Sequence, residues 1–222
     1  MIQKSVSEKV YQNPGNPEAL RWVPAAAQTV LDVGCGAGDN ARLLQQQGKI
    51  VDGITLSLDE MTRAQPYLRH VWRHNLEQGL PSEVAPDAYD CILCVHVLEH
   101  ICFPDSLLHD LKRSLKPGGV LIVALPNLLY YKYRLRLLLG KFEYEPEGVM
   151  DNTHFRWYTY TSAQKLLTGA GFRLTHVYAD GFFPFSKVRW FIPVHIRTPL
   201  DRWASKRFPG LFGYQLIFIG TK

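Results

Sequence analysis

The sequence is poor in the features that mark membrane, secreted or metal-stapled proteins. None of its apolar runs reaches the roughly 18 to 20 residues that span a bilayer. The amino-terminal stretch MIQKSVSEKVYQNPGNPEAL has no apolar core of the secretory kind, so the cytoplasm is the expected compartment. Only 4 cysteines occur in 222 residues, too few for a disulfide framework. Two of them, Cys91 and Cys94, lie in YDCILCVHV, which reads as a buried strand, where residues three apart point to opposite faces. With no second cysteine pair and no histidine pair at ligand spacing, no metal site is expected, and the thiols read as reduced and buried. No internal repeat and no low-complexity tract occurs. No glycine loop is followed by Gly-Lys-Ser/Thr, which excludes a triphosphate loop.

What is present is the composition of one globular unit: 46% apolar and 20% charged residues, in a chain long enough for one sizeable core. A single domain over residues 1–222 is expected. Apolar, β-branched-rich runs alternate with helical patterns, the signature of a mostly parallel α/β sheet. The strands are predicted at Thr29–Val33, Lys49–Ile54, Val71–Arg73, Tyr89–Val95, Val120–Leu125, Arg173–Tyr178 and Tyr214–Gly220. Helices are predicted at Asn40–Gln47, Leu58–Ala64, Asp105–Leu115 and Ser162–Gly169. The third has apolar residues at 107, 108, 111 and 115, one face of an amphipathic helix. LKPGG, residues 115–119, then stops it and turns the chain into the next strand.

The most informative stretch is VLDVGCGAGDN, residues 30–40. A dinucleotide loop needs G-x-G-x-x-G, with its third glycine where the next helix packs on the strand. Here Gly34, Gly36 and Gly38 give G-x-G-x-G. Asp32 also precedes them, a carboxylate that would repel a pyrophosphate but could order the loop or hold a cationic ligand.

VLDVGCGAG resembles the first motif of the class I S-adenosylmethionine-dependent methyltransferases. YDCILCVHVLEH is similar to that family's fourth strand and loop, LKPGGVLIVALPN to its helix–turn–fifth strand, and LTGAGFRL to the lead into the sixth. The matches run in family order over most of residues 29–220. Within the family the likeness is to the methyltransferase type 11, 12 and 23 groups and to methionine-biosynthesis-protein-like members. The resemblance implies a Rossmann-like, seven-stranded, mostly parallel sheet with its last strand antiparallel, helices on both faces, and S-adenosyl-L-methionine held at the carboxyl edge.

Carried over by position, the resemblance puts the backbone of Gly34, Cys35 and Gly36 at the methionine moiety, with Asp32 ordering the loop and Gly38 closing it. The second strand of the family ends in an acid that holds the ribose; here Thr55 and Leu56 stand there, and Glu60 is the candidate replacement. HNLEQGLP resembles the adenine-binding segment, with Asn75 in place of the usual Asp and the backbone of Leu76 beside it. Cys94 and His96 complete the cofactor set.

His96, Glu99 and His100 follow the fourth strand, where an acceptor hydroxyl would need a base. MDNTHFRWYT, residues 150–159, resembles the D-x-T-H-x-R-x-x-T stretch of methyltransferases in sugar, cell-envelope and methionine-biosynthesis pathways. His154 is a candidate base there and Arg156 an anchor for an anion. For Glu99 and His100, as for His154 and Arg156, a bracing role stays open beside the catalytic one; the candidate catalytic set is His100, His154 and Glu99.

The net charge is +5, and 10 of the 25 basic residues sit in two aromatic-rich stretches, LLYYKYRLRLLLGK and SKVRWFIPVHIRTPLDRWASKRFPG. Neither matches a nucleic-acid-binding motif, and no nucleic-acid partner is expected. Insertions at 128–160 and 182–210 are expected to cap the substrate side, over the acceptor pocket or against an anionic membrane. The expected activity is transfer of a methyl group to a small-molecule, sugar or lipid-linked glycan acceptor, at oxygen. Two alternatives stand beside it: a lipid-modifying relative of the cyclopropane synthases, suggested by GITLS, and a non-catalytic cofactor-binding domain. Oligomeric state is not legible.

Overall fold

A computed structural model describes residues 14–182 and 192–222. All seven predicted strands form, in one sheet of order β3-β2-β1-β4-β5-β7-β6. They are β1 (Thr29–Val33), β2 (Ile50–Thr55), β3 (His70–Arg73), β4 (Tyr89–Val95), β5 (Leu115–Pro126), β6 (Arg173–Gly181) and β7 (Gly213–Thr221). The first five pair in parallel, while β7 runs antiparallel between β5 and β6. This is the seven-stranded Rossmann-like architecture expected from the sequence.

Eight α-helices are described: α1 (Pro17–Leu20), α2 (Asp39–Gln45), α3 (Leu58–Ala64), α4 (Pro104–Ser114), α5 (Tyr131–Leu138), α6 (Tyr160–Gly169), α7 (Val194–Arg207) and α8 (Pro209–Phe212). Local chemistry sets their starts. Ser57 caps α3 by accepting from the Glu60 N–H. Thr159 and Ser162 exchange capping bonds at α6, and Pro104 opens α4, where its missing N–H costs nothing. Four helices (α1, α5, α7 and α8) went unpredicted: two are single turns, and the other two bury too little apolar surface to show a clear stripe.

Most boundaries shift by one to three residues, and the largest change is at the fifth strand. The fifth strand begins at Leu115, because the chain joins the β4 ladder there before LKPGG bulges out and pairing resumes at Val120. The glycines of that segment work inside the ladder as a bulge and not only as a stop.

The core fills both faces of the sheet. Leu31, Ile92, Cys94 and Phe218 pack with Leu107, Leu108 and Leu111 of α4 on one face. Val30, Cys91, Leu93 and Ile217 pack with Ala41 and Leu44 of α2 on the other. Cys91 and Cys94 therefore lie on opposite faces, buried and unbridged, as the strand reading required. The chain order reverses between β1 and β4, so the crevice above their carboxyl ends is a switch point, where open α/β sheets bind ligands. No helix among the described residues is long and apolar enough to cross a membrane.

Candidate functional site

A cavity of about 1330 Å³ opens above that switch point. It exceeds the ~300–1,000 Å³ typical of single-ligand clefts and leaves room for a second molecule beside a nucleoside-sized one. Twelve sequence-predicted residues line it: Gly34, Cys35, Gly36, Thr55, Leu56, Glu60, Asn75, Leu76, His96, Glu99, His100 and His154.

At one end lies the glycine loop between β1 and α2. Gly34 and Gly36 have φ of +73° and +53°, values that L side chains rarely adopt. A side chain on Gly34 would also collide with Val97. The loop backbone is thus bare toward the cavity. Gly38 does not line it; a Cβ there would meet the Ala64 backbone at 2.9 Å, so this glycine lets α2 pass close to α3.

Asp32 sits behind the loop, 1% exposed, with no donor in hydrogen-bonding geometry at either carboxylate oxygen. Burial pushes its pKa up to about 7, against a smaller opposing pull from the Asn40 amide. A buried carboxylate without a donor is costly unless something nearby compensates it.

The β2 edge supplies a second polar group. The Thr55 hydroxyl donates to Glu60 Oε2 at 2.6 Å, and both side chains are almost fully buried. The hydrogen bond thereby holds a carboxylate from the first turn of α3 at the end of β2. Asn75 caps the short turn Leu76–Gln78 by accepting from the Glu77 N–H at 3.1 Å.

Next to the loop, where β4 leaves the sheet beside β1, lies an imidazole–carboxylate cluster. His96 has φ +56°, an uncommon conformation for a non-glycine residue that turns its ring into the cavity. Its Nε2 lies 2.6 Å from Gln215 Oε1, and its Nδ1 lies 3.3 Å from Glu99 Oε1. Gln215 Oε1 also accepts from Asn16 Nδ2 at 2.7 Å, so it serves as an acceptor and His96 Nε2 carries the proton. Burial would lower the His96 pKa, but Glu99 and Gln215 outweigh it and hold it above the usual value.

The His100 and His154 rings meet edge to face, centroids 4.7 Å apart. Each Nδ1 faces an oxygen of the segment 149–153. That of His154 lies 3.1 Å from the Val149 carbonyl, and that of His100 lies 3.3 Å from the Thr153 carbonyl. A ring nitrogen facing a carbonyl must donate, so in the neutral form of either ring Nε2 keeps the lone pair. Burial, followed by the neighbouring His100, pulls the His154 pKa below its usual value against the opposing Glu99 charge. Glu99, His100 and His154 each offer a donor atom, all within 4.8 Å of one another. The set is compact enough to hold a cation as well as to pass a proton, where no metal was expected.

Three predicted residues fall outside the cavity lining: Asp32 and Gly38, as described, and Cys94, which is fully buried in the core. Arg156 also lies outside it, donating to the Cys102 carbonyl at 2.7 Å from an exposed position. Of the two insertions, residues 147–149, 151, 154 and 155 line the cavity, whereas no described residue of α5 or α7 does. Residues 183–191 of the second insertion lie outside the described residues. Sequence reasoning missed Asn16, Tyr214 and Gln215, which also line the cavity. For Tyr214 and Gln215 the signal was topological, since an antiparallel last strand beside β5 starts at the same edge where β5 ends; Asn16, ahead of α1, carried none.

A family model for a methyltransferase domain matches residues 11–177. Among curated proteins, the chain is 33% identical over 120 residues to a ubiquinone biosynthesis O-methyltransferase of Paracidovorax citrulli, covering 47% of this chain and 48% of that protein. It is 28% identical over 166 residues to the protein so named in Hydrogenovibrio crunogenus, covering 72% and 68%. The matched stretch thus spans about half to two thirds of these relatives' length. Among solved structures, an S-adenosylmethionine-dependent methyltransferase of Thermotoga maritima, described as a possible histamine N-methyltransferase, superposes with a TM-score of 0.64. Identity to it is 19%, over 92% of this chain and 86% of that one. A methyltransferase of Archaeoglobus fulgidus gives 0.61 and 17%, over 89% and 87%.

Proposed function

The chain belongs to the class I S-adenosylmethionine-dependent methyltransferases, and from that premise we propose that it methylates a hydroxyl oxygen of a small, ring-bearing acceptor. The observation that carries the reading is His154. Its Nδ1 is committed to the Val149 carbonyl and its Nε2 is left basic, in the cavity that the glycine loop also lines.

The residues present fit the cofactor. The bare loop at Gly34–Gly36 admits a close backbone approach, Glu60 backed by Thr55 can accept from ribose hydroxyls, and Asn75 and Leu76 line the same cavity, where an adenine would be held. The uncompensated Asp32 carboxylate favours a ligand that carries positive charge. When bound, S-adenosylmethionine supplies an electrophilic methyl group on a sulfonium.

Everything else falls to the chain. His154 Nε2 takes the acceptor proton, and its depressed pKa keeps it neutral and available near pH 7. His100 stands edge-on to that ring. Glu99 bears a buried carboxylate oxygen without a hydrogen-bond partner, and His96 screens its other oxygen. That negative charge stabilises a protonated imidazole beside it. Phe103 and Phe155 border the cavity as exposed aromatic rings, a surface suited to stacking against a flat sugar or aromatic acceptor. The finer choice, a sugar or lipid-linked glycan, rests on the D-x-T-H-x-R-x-x-T likeness of residues 151–159.

The test is formation of S-adenosylhomocysteine on incubation with S-adenosylmethionine and panels of hydroxylated aromatic and sugar acceptors. Acceptor-dependent turnover that His154→Gln abolishes, with cofactor affinity intact, supports the reading. Tight cofactor binding with no turnover on any panel would favour the non-catalytic alternative.

A further inference from the structure

We propose that the outward faces of α5 and α7 form a docking surface for an anionic lipid bilayer. Both helices belong to the carboxyl edge of the sheet: α5 follows β5, and α7 with α8 leads back into β7. α8 links them. Arg134 Nη2 donates to the Gly210 carbonyl at 3.1 Å and the Tyr131 and Phe212 rings lie 6.5 Å apart, tying α5 to α8, while the Trp203 and Phe208 rings, 6.3 Å apart, tie α7 to the start of α8.

On α5, Leu135, Leu138 and Leu139 have i, i+3, i+4 spacing and share one face, 56%, 83% and 64% exposed. Lys132 and Arg134, both exposed, flank them. The acids of the neighbouring loop are drawn elsewhere. Glu145 and Glu143 pair with Arg136, which is less exposed, at 2.5 and 4.0 Å.

On α7, Ile196, Pro199 and Trp203 occupy one outward arc, flanked by His195, Arg202, Lys206 and Arg207. Asp201, the one acid in that helix, is half-buried away from the arc. Two helices on the same edge of the sheet therefore repeat one pattern, an apolar centre edged by cations, with their one acid, Asp201, turned away from it.

Single exposed leucines are ordinary. A leucine trio and a tryptophan, each ringed by Lys and Arg, match the interfacial geometry in which apolar side chains enter the acyl boundary and cations meet headgroup phosphates. The leucine centre of α5 offers no platform for stacking bases and Trp203 is the one aromatic ring on the α7 arc, too few for a strand of bases, while the surrounding like charge opposes a second copy of the chain face to face. Charge complementarity thus selects an anionic membrane. The inference does not depend on methyl transfer.

The test is co-sedimentation of the full chain with vesicles of phosphatidylcholine alone or mixed with phosphatidylglycerol, at increasing salt. The mixed vesicles are expected to bind, the neutral ones not, and binding should weaken as the Debye length shortens. Removing three cations in Arg202→Gln/Lys206→Gln/Arg207→Gln should weaken partitioning on the order of a hundredfold, about fivefold per charge. Leu135→Ser/Leu138→Ser/Leu139→Ser should also release the protein. S-adenosylhomocysteine affinity and thermal unfolding, unchanged in both variants, exclude misfolding. Brominated lipid should quench the fluorescence that parent and Trp203→Phe differ by, which reads the same contact in an intact chain. Equal binding to both vesicle types, parent-like binding by the cation variant, or no quenching of Trp203 would overturn the proposal. So would self-association, or binding to short RNA, that the leucine variant abolishes while vesicle binding survives.

Discussion

Asp32→Asn isolates the least compensated charge in the fold. In the folded chain the carboxyl is buried and its pKa stands near 7, against 3.8 in the unfolded chain. Between those values the native state holds a proton that the unfolded state has lost, so stability falls as pH rises through the window. The difference corresponds to about 4 kcal/mol, absent below pH ~4 and fully expressed above pH ~7. Asparagine is nearly isosteric and never ionises. Urea unfolding of parent and variant at pH 5, 7 and 8.5 should show a stability gap that opens with pH in favour of the variant. A cationic ligand in the adjoining cavity should reverse part of this for the parent alone, releasing a proton on binding near pH 6, which calorimetry in buffers of different ionisation heat detects. A gap independent of pH would refute the reasoning, because it would mean that the parent carboxylate finds a donor.

Other perturbations address the cavity wall. Glu60→Ala should weaken S-adenosylhomocysteine binding by about 1.5–3 kcal/mol, the worth of hydrogen bonds to a charged group; unchanged affinity in calorimetry would remove Glu60 from ribose recognition. Gly36→Val should abolish binding, since φ of +53° disfavours a β-branched residue and its methyls would occupy the ligand's approach; a titration with parent affinity would contradict this. With its pKa held below the ordinary histidine value by burial, His154 should stay deprotonated at neutral pH. The acid limb of kcat/KM should therefore fall below pH ~6.5 and vanish in His154→Gln along with the activity; a limb well above that pH would assign the base elsewhere.

The strands and the glycine loop were legible because their signals are local. Alternating apolar residues, a G-x-G-x-G turn and the caps at Ser57 and Thr159 each act within a few residues of chain. That Glu60 reaches the cavity was legible for the same reason, since it lies five residues from Thr55, to which it is hydrogen-bonded. Gln215 and Asn16 were not legible, because their partnership with His96 exists only once β7 enters the sheet. Cys94 and Arg156 failed in the opposite way. Each lies in a stretch whose neighbours reach the cavity, yet strand alternation turns Cys94 into the core and a backbone carbonyl claims Arg156. A linear motif names a neighbourhood; which side chain faces the ligand is decided by the pleat and by hydrogen-bond competition.

The placement of β7 has a consequence for biosynthesis. Within the sheet β6 pairs only with β7, so residues 173–181 have no strand to join until 213–221 have emerged from the ribosome. The Asn16–Gln215 hydrogen bond closes across 199 positions of sequence, and long-range closure of this kind is slow and comes late in folding. A nascent chain stalled before residue 213 would carry the glycine loop, Glu60 and both inner histidines, yet His96 would lack its amide partner and the outer edge of β5 would stand open. Such a truncated chain is a sticky intermediate with an exposed strand edge. The polar cluster around His96 therefore closes only after β7 has entered the sheet.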